Sequence, residues 1–274
     1  LDLLDAAFRV RYHHWGMGVQ VHVLMNAKSG LCPEDCAYCS QSSISSAEID
    51  RYPMQNVDEI LAGAIQAKDA KAHRYCIVTS GRSPTPREVD EMADVVRRIK
   101  SMVDIEICCC MGLLDGEKAR TLKAAGVDRV NHNLNTSESY HPSICTTHTY
   151  ADRVNTLREV KAAGLSTCCG GILGMGESRE DWIALARAVH ELDIDSIPIN
   201  FLYPITGTPL EDRDDLTPQD CLKALCLFRF LNPSKEIRVA GGRERNLGSL
   251  QAFSLYPANS LFVDGYLTTG GDGP

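Results

Sequence analysis

Along the chain, short runs of apolar and β-branched residues alternate with longer stretches in which apolar residues recur every three or four positions. The first pattern fits strands, whose successive side chains point to opposite faces, and the second fits amphipathic helices. The runs predict strands over 19–25, 74–80, 104–111, 129–135, 165–173, 196–202, 237–241 and 260–264. Helices are predicted over 56–72, 86–101, 115–125, 150–163, 178–192, 217–231 and 244–256. Eight strands with a helix in each of seven gaps is the rhythm of an α/β protein folded as a (βα)8 TIM-type barrel. A doubly wound open sheet is the competing arrangement. Gly126 and Gly164 stand where helices should end in a left-handed residue, and Thr217 with Pro218 supplies an N-cap and a first-turn proline. No linker or low-complexity tract interrupts the rhythm, so the chain reads as a single domain over 1–274, with 1–16 an N-terminal helix and 265–274 a C-terminal tail.

The same alternation sorts polar residues by face. In the fourth strand Val130, His132 and Leu134 form one set and Asn131, Asn133 and Asn135 the other. If the apolar set packs on helices, three amides line the interior and offer donors and acceptors to a polar ligand; an exposed polar edge strand is the alternative. In the third strand Ile105, Ile107 and Cys109 oppose Glu106, Cys108 and Cys110, and in the sixth Ile197, Ile199 and Phe201 oppose Asn200. In the seventh, Ile237 and Val239 oppose Arg238, which points inward. A buried guanidinium is costly without a partner, which is either a salt bridge to Glu106 or another inward acid, or a ligand. Cys76, Cys108 and Cys168 lie on three different strands and Arg238 on a fourth. Inward residues of separate barrel strands converge, so these four are candidates for a metal centre, although cysteine is also a common small buried hydrophobe. Parity does not separate Cys168 from Cys169, because Gly170 and Gly171 suggest a bulge or a close ligand approach.

Cys32, Cys36 and Cys39 stand at CxxxCxxC spacing just after the first strand, on the face where barrel active sites lie. Three thiolates of one loop can hold three irons of a four-iron four-sulfur cluster, leaving one iron open to a small molecule. Structural zinc closes its tetrahedron with four protein ligands and favours CxxC pairs, so zinc is the lesser reading. The chain has 274 residues, 44% hydrophobic, a net charge of -8 and no long basic run, which argues against nucleic acid or an anionic membrane surface as partner. No apolar stretch reaches the roughly 18 residues that cross a bilayer. The start, LDLLDAAFRVRYHHWG, is not patterned as a secretion signal, and twelve cysteines then point to metal ligation and buried thiols in a reducing, cytoplasmic setting.

The residues resemble the biotin synthase family of the radical SAM superfamily. The resemblance runs over nearly the whole chain, through NAKSGLCPEDCAYCSQSS (26–43), YCIVTSGR (75–82), GVDRVNHNLNTS (126–137), CCGGILGMGE (168–177) and NPSKEIRVAGGRE (232–244). NHNLN and IRVAGGRE are the most specific. It implies an enzyme that inserts sulfur into dethiobiotin to form biotin. Cys32, Cys36 and Cys39 would hold the 4Fe-4S cluster, with S-adenosyl-L-methionine (SAM) chelating its open iron. Tyr38, Asn133, Asn135, Arg153, Gly170 and Gly171 would bind SAM, and Asn131, Asn133 and Asn200 would lie near dethiobiotin. Cys76, Cys108, Cys168 and Arg238 would hold a sulfur-donating 2Fe-2S cluster. Flavodoxin or ferredoxin would supply the electron that cleaves SAM to methionine and a 5'-deoxyadenosyl radical, and the chain would act as a homodimer.

Departures from the family pattern are Asn135, where some members carry aspartate, and Val130, where a tyrosine is expected. Cys109, Cys110 and Cys169 flank the implied ligands and could replace them. A radical SAM mutase or maturase would share the loop cysteines without needing the second set. A non-catalytic iron–sulfur or zinc protein would need neither substrate nor SAM.

Overall fold

In a computed structural model, residues 1–263 and 266–268 are described; the predicted strand end at 264 and most of the 265–274 tail lie outside them. Strands β1 (Gln20–Lys28), β2 (Arg74–Thr79), β3 (Glu106–Cys110) and β4 (Arg129–Asn131) pair in sequence order, all parallel. They are followed by β5 (Ser166–Cys168), β6 (Gly171–Leu173), β7 (Ser196–Phe201), β8 (Glu236–Val239) and β9 (Ser260–Val263). Strand β9 lies between β8 and β1, and β7 pairs with both β5 and β6, so the sheet closes on itself. β5 and β6 are two halves of the single strand expected over 165–173, which makes a closed eight-stranded parallel barrel.

The break at Cys169–Gly170 has a steric cause. A Cβ on Gly170 would sit 1.8 Å from the carbonyl oxygen of Pro198, so only glycine lets the fifth strand pass this close to β7. The close approach is to the neighbouring strand.

Helices α1 (Asp2–Trp15), α2 (Val57–Asp69), α3 (Pro86–Met102), α4 (Gly116–Ala125), α5 (Tyr150–Ala162), α6 (Arg179–Glu191), α7 (Pro218–Leu231) and α8 (Arg243–Leu247) surround the barrel. Capping boxes start α2, α3, α5 and α6 at Asn56, Thr85, Thr149 and Ser178, satisfying amide donors that have no partner inside the helix. Thr217 accepts from Asp220 N ahead of Pro218, and Gly126 and Gly164 take left-handed φ of 101° and 75° after their helices. The helix expected over 244–256 is instead α8 followed by a 3-10 turn over Gly248–Leu255, because Gly248 (φ 48°) ends the α geometry. No helix among the described residues is long and apolar enough to cross a membrane.

Two apolar cores fill the space between strands and helices. One gathers Ile77, Ile107, Cys109 and Val130 with α2 to α4, and the other Leu134, Cys169, Ile197, Ile237 and Val239 with α6 and α7. The outward half of each strand is thus spent on packing. Its inward half, Asn131, Asn133, Cys108, Asn200 and Arg238 among others, lines a cavity in the barrel.

Candidate active site

Register builds the floor of the cavity. Cys76 of β2 is paired directly with Cys108 of β3, and Asn131 of β4 with Cys168 of β5. All three cysteines are buried, and the Cys108 thiol is in hydrogen-bonding reach of both Cys76 and Cys168. Arg238 of β8 reaches in from across the barrel and places Nη1 3.7 Å from Cys168 Sγ. Cys168 also accepts from Asn131 Nδ2 at 3.2 Å, whereas Cys169 accepts from Leu134 N within the outer core. Cys168 is therefore the inward member of the pair. Cys109 likewise faces the helices, while Cys110 lines the cavity one inward position above Cys108.

Arg238 is held on three sides. Its Nη2 donates to Glu236 and, at 2.9 Å, to Ser196 Oγ, and its guanidinium stacks 4.9 Å over the Phe262 ring. Nε is buried with no partner among the described residues. The acid that pairs with it is Glu236, not Glu106, which receives Arg74 Nε at 3.0 Å near the barrel's rim. Glu236 also accepts from Arg129 at 2.6 Å and Ser260 at 3.0 Å, with Arg74 Nη1 at 3.4 Å.

Three guanidiniums thus share two carboxylates, and one positive charge is left beside three thiols. Burial opposes the charge on Glu236, yet the guanidiniums of Arg238, Arg129 and Arg74 hold its carboxyl well below the usual range. Burial, then Arg238, pushes His22 down, so it stays neutral and adds no charge.

The mouth is built by the loop after β1. Gly30 and Leu31 both take left-handed φ, 69° and 57°, turning the chain back over the barrel end. Gln41 accepts from Gly30 N at 2.8 Å, Ser43 N donates to Glu34 O at 2.8 Å, and Cys39 N to Cys36 O at 3.1 Å. These bonds fold 30–43 into a loop that points Cys32, Cys36 and Cys39 into the same cavity. Burial pushes the Cys39 thiol up to about 11, so without a metal it stays protonated at neutral pH.

Across from the loop stands Arg153 of α5, whose Nη1 donates to Asn133 O at 2.7 Å and whose Nε is buried and unpartnered among the described residues. It faces Tyr38, Cys36 and Cys145. Asn135, in left-handed conformation (φ 71°), donates to Tyr38 Oη at 2.5 Å. Asn133 Oδ1 accepts from Asn131 Nδ2 at 3.2 Å and from Gly170 N at 3.0 Å. Asn200 ties β6 to β8, donating to Gly171 O and accepting from Gly241 N. A Cβ on Gly171 would meet Leu185 and the Asn135 carbonyl, so that glycine too answers to packing within the barrel.

The cavity between mouth and floor has a volume of about 300 Å³. Its two ends match two anionic groups. Buried, unpaired guanidinium nitrogens on Arg153 and Arg238 call for negative charge, and each faces a set of thiols. Each end is therefore suited to an anionic group held by its thiols.

Alternation read two residues further down each strand would have found Arg74, Arg129 and Glu236. Nothing in the spacing marks Cys145 and His148, which meet Glu34 and Cys36 only through folding.

A family model described as "Radical SAM superfamily" matches residues 28–189, and one described as "Biotin and Thiamin Synthesis associated domain" matches 198–274. A protein named biotin synthase from Lysinibacillus sphaericus is 57% identical over 99% of this chain and 82% of its own length. Those of Bacillus subtilis (strain 168) and Salinibacter ruber are each 55% identical, over 99% and 100% of this chain and 81% and 76% of theirs. Among solved structures, methylornithine synthase superposes with a TM-score of 0.84 at 22% identity, covering 99% of this chain and 80% of that one. The FeFe-hydrogenase maturase HydG from Carboxydothermus hydrogenoformans gives 0.83 at 16% identity, over 96% and 63%. Those two likenesses speak to the fold alone.

Proposed function

The chain belongs to the biotin synthase family within the radical SAM superfamily, and from that premise we propose how its own residues serve the reaction. It is a radical SAM sulfurtransferase that converts dethiobiotin to biotin with a 4Fe-4S cluster, a 2Fe-2S cluster and SAM. When bound, these groups supply the carbon-centred radical and the sulfur atom.

Cys32, Cys36 and Cys39 hold the four-iron cluster. Arg153 pairs with the SAM carboxylate, Tyr38 contacts the adenine and Asn135 the ribose, with Asn133 and the Gly170–Gly171 backbone alongside. Cys76, Cys108, Cys168 and Arg238 hold the two-iron cluster. Asn131, Asn133 and Asn200 orient dethiobiotin between the two ends. The observation that carries this assignment is the pair of separate thiol triads opening onto one cavity, each with an unpaired buried guanidinium nitrogen. The rigid amide ladder keeps the reacting positions aligned, which is the protein's main contribution when cofactors carry the chemistry.

Flavodoxin or ferredoxin supplies the electron, and the chain works as a homodimer in the cytoplasm. The twelve free cysteines are consistent with a reducing compartment. We read the chain as one domain although two family models divide it, since β9 and β8, both in the second part, are needed to join β7 back to β1.

The test is to incubate the anaerobically reconstituted chain with dethiobiotin, SAM and a reductant, and to detect products by mass. Biotin and 5'-deoxyadenosine together are expected. 5'-Deoxyadenosine without biotin would overturn the sulfur-insertion roles, and a reconstituted metal centre that ignores SAM would overturn the mouth assignment.

A further inference from the structure

We propose that the cluster-free protein carries a tetrahedral site for a thiophilic divalent cation of the zinc class, made by Cys36, Cys145 and His148. The three ligand atoms lie within 4.8 Å of one another and all three residues are buried. They come from two segments far apart in the chain, the loop after β1 and the turn that precedes α5.

Two of the three separations are those of a zinc site. Zinc binds sulfur at about 2.3 Å and nitrogen at about 2.0–2.1 Å, so tetrahedral angles require about 3.8 Å between two sulfurs and about 3.6 Å between sulfur and nitrogen. Cys36 Sγ and Cys145 Sγ are 3.7 Å apart, and Cys145 Sγ is 3.7 Å from His148 Nε2. The third separation, from Cys36 Sγ to His148, lies within 4.8 Å, so the backbone already brings the three ligands around one point.

The surroundings complete the design. Glu34 accepts from His148 Nδ1, which fixes the tautomer that presents Nε2 to a metal, as carboxylates do behind zinc-binding histidines. Glu34 is itself buried and is held by Thr147 Oγ1 at 2.7 Å and by Arg82 at 3.7 Å. Three protein ligands leave the fourth position for water, the arrangement of an exchangeable zinc site and not of a closed structural one.

Cys36 belongs to both this trio and the loop triad, so the ion and the four-iron cluster exclude each other. That competition rests on the cluster assignment above, whereas binding of the ion does not. A zinc-loaded chain would keep Cys36 and Cys145 ligated until the cluster is delivered, and excess zinc would slow cluster assembly.

Cobalt titration of the chelator-treated, reduced chain under anaerobic conditions tests the site, with zinc displacement as the competition. One equivalent should give the sulfur-to-cobalt charge-transfer band and the d–d bands of a tetrahedral thiolate site. Cys145→Ala and His148→Gln should each lose that spectrum while keeping native circular dichroism, and Cys39→Ala should keep it. Glu34→Gln should weaken binding by about 10- to 100-fold. The proposal fails if Cys145→Ala and His148→Gln bind cobalt as the parent does, or if Cys39→Ala abolishes the spectrum, which would put the ion on the loop triad.

Iron–sulfur reconstitution of the same variants separates this from the cluster assignment. Cys39→Ala should lose the four-iron cluster and Cys145→Ala should assemble it without inhibition by zinc. A Cys39→Ala chain that still assembled the four-iron cluster would overturn the cluster assignment and leave the ion site standing.

Discussion

The mouth and the floor of the cavity each present three cysteines, but they are made in opposite ways. At the mouth the thiols sit within one loop, between residues 32 and 39, and are aimed by local turns and backbone hydrogen bonds. On the floor they come from β2, β3 and β5 and meet Arg238 of β8, so nothing short of the closed barrel brings them together. The electrostatics differ as well. At the mouth Arg153 faces the thiols and Arg82 is paired with Glu34, while the floor holds three guanidiniums that share Glu236 and Glu106. A centre aimed by a loop can form and be lost without disturbing the fold; one aimed by register shares the stability of the barrel.

The largest effect expected from this difference is a clean separation of the two centres. Cys36→Ala and Cys108→Ala should each reduce biotin formation below detection, yet leave opposite residues of metal. After reconstitution, Cys36→Ala should retain only the two-iron absorbance and Cys108→Ala only the four-iron absorbance, by iron and sulfide counting. Loss of both clusters from either variant would show that mouth and floor are one assembly unit, and the comparison would not hold.

The same contrast explains what was legible in the sequence. Spacing alone exposed Cys32, Cys36 and Cys39, because a loop writes its geometry in consecutive residues. The floor needed strand parity, which brought out Cys108 and Arg238, with Cys76 marked only by lying on a separate strand, but the predicted seventh strand begins at residue 237 and so passes over Glu236. Parity could not choose Cys168 over Cys169, because the strand is broken there by the carbonyl of Pro198, a contact belonging to the tertiary fold. The βα rhythm placed all eight strands, but not that β1 continues to Lys28, that β4 ends at Asn131, that the fifth strand is broken, or that Gly248 cuts the last helix short. Cys145 and His148 were invisible, since 109 residues separate Cys36 from Cys145.

Next in size is the cost of removing a buried carboxylate. Glu236→Gln strands Arg238 and Arg129 in the interior, while Arg74 keeps Glu106, and should destabilise the cluster-free chain by about 3–5 kcal/mol. Glu34→Gln at the mouth removes charge-assisted bonds to Thr147 and His148 on a loop, and about 1.5–3 kcal/mol is expected. The shift of the guanidinium chloride midpoint measures both, and equal shifts would erase the distinction between a register-built and a loop-built end.

Two glycines sharpen the point on a smaller scale. Gly170→Ala drives a Cβ into the Pro198 carbonyl, a backbone atom that cannot move aside without opening the seam between β5 and β7, and about 1–3 kcal/mol of overpacking follows. Gly30→Ala meets the Arg51 side chain, whose Cγ at 2.7 Å must shift but yields more readily than a backbone carbonyl, and the left-handed backbone at φ 69° adds about 1–2 kcal/mol. Thermal midpoints of the two variants should fall in that order. The reverse order would place the more rigid backbone at the mouth.

The smallest expected effect is a pH slope centred on His132. Burial, then the charges of Arg153 and His148, pushes its pKa well below the ordinary 6.5, so the ring stays neutral in the fold and takes up a proton once unfolded. Below about pH 6.5 the unfolded chain therefore binds one more proton than the native one, and stability must fall as pH is lowered, by at most about 1.4 kcal/mol per pH unit for this group. Above that pH both states are neutral and the contribution is flat. His132→Gln removes the group without adding charge and should flatten the acid limb of the stability curve by about one proton, while leaving the curve unchanged above pH 7. An unchanged acid limb would mean that the ring titrates alike in both states, and that water reaches the inner side of the mouth despite the packing around it.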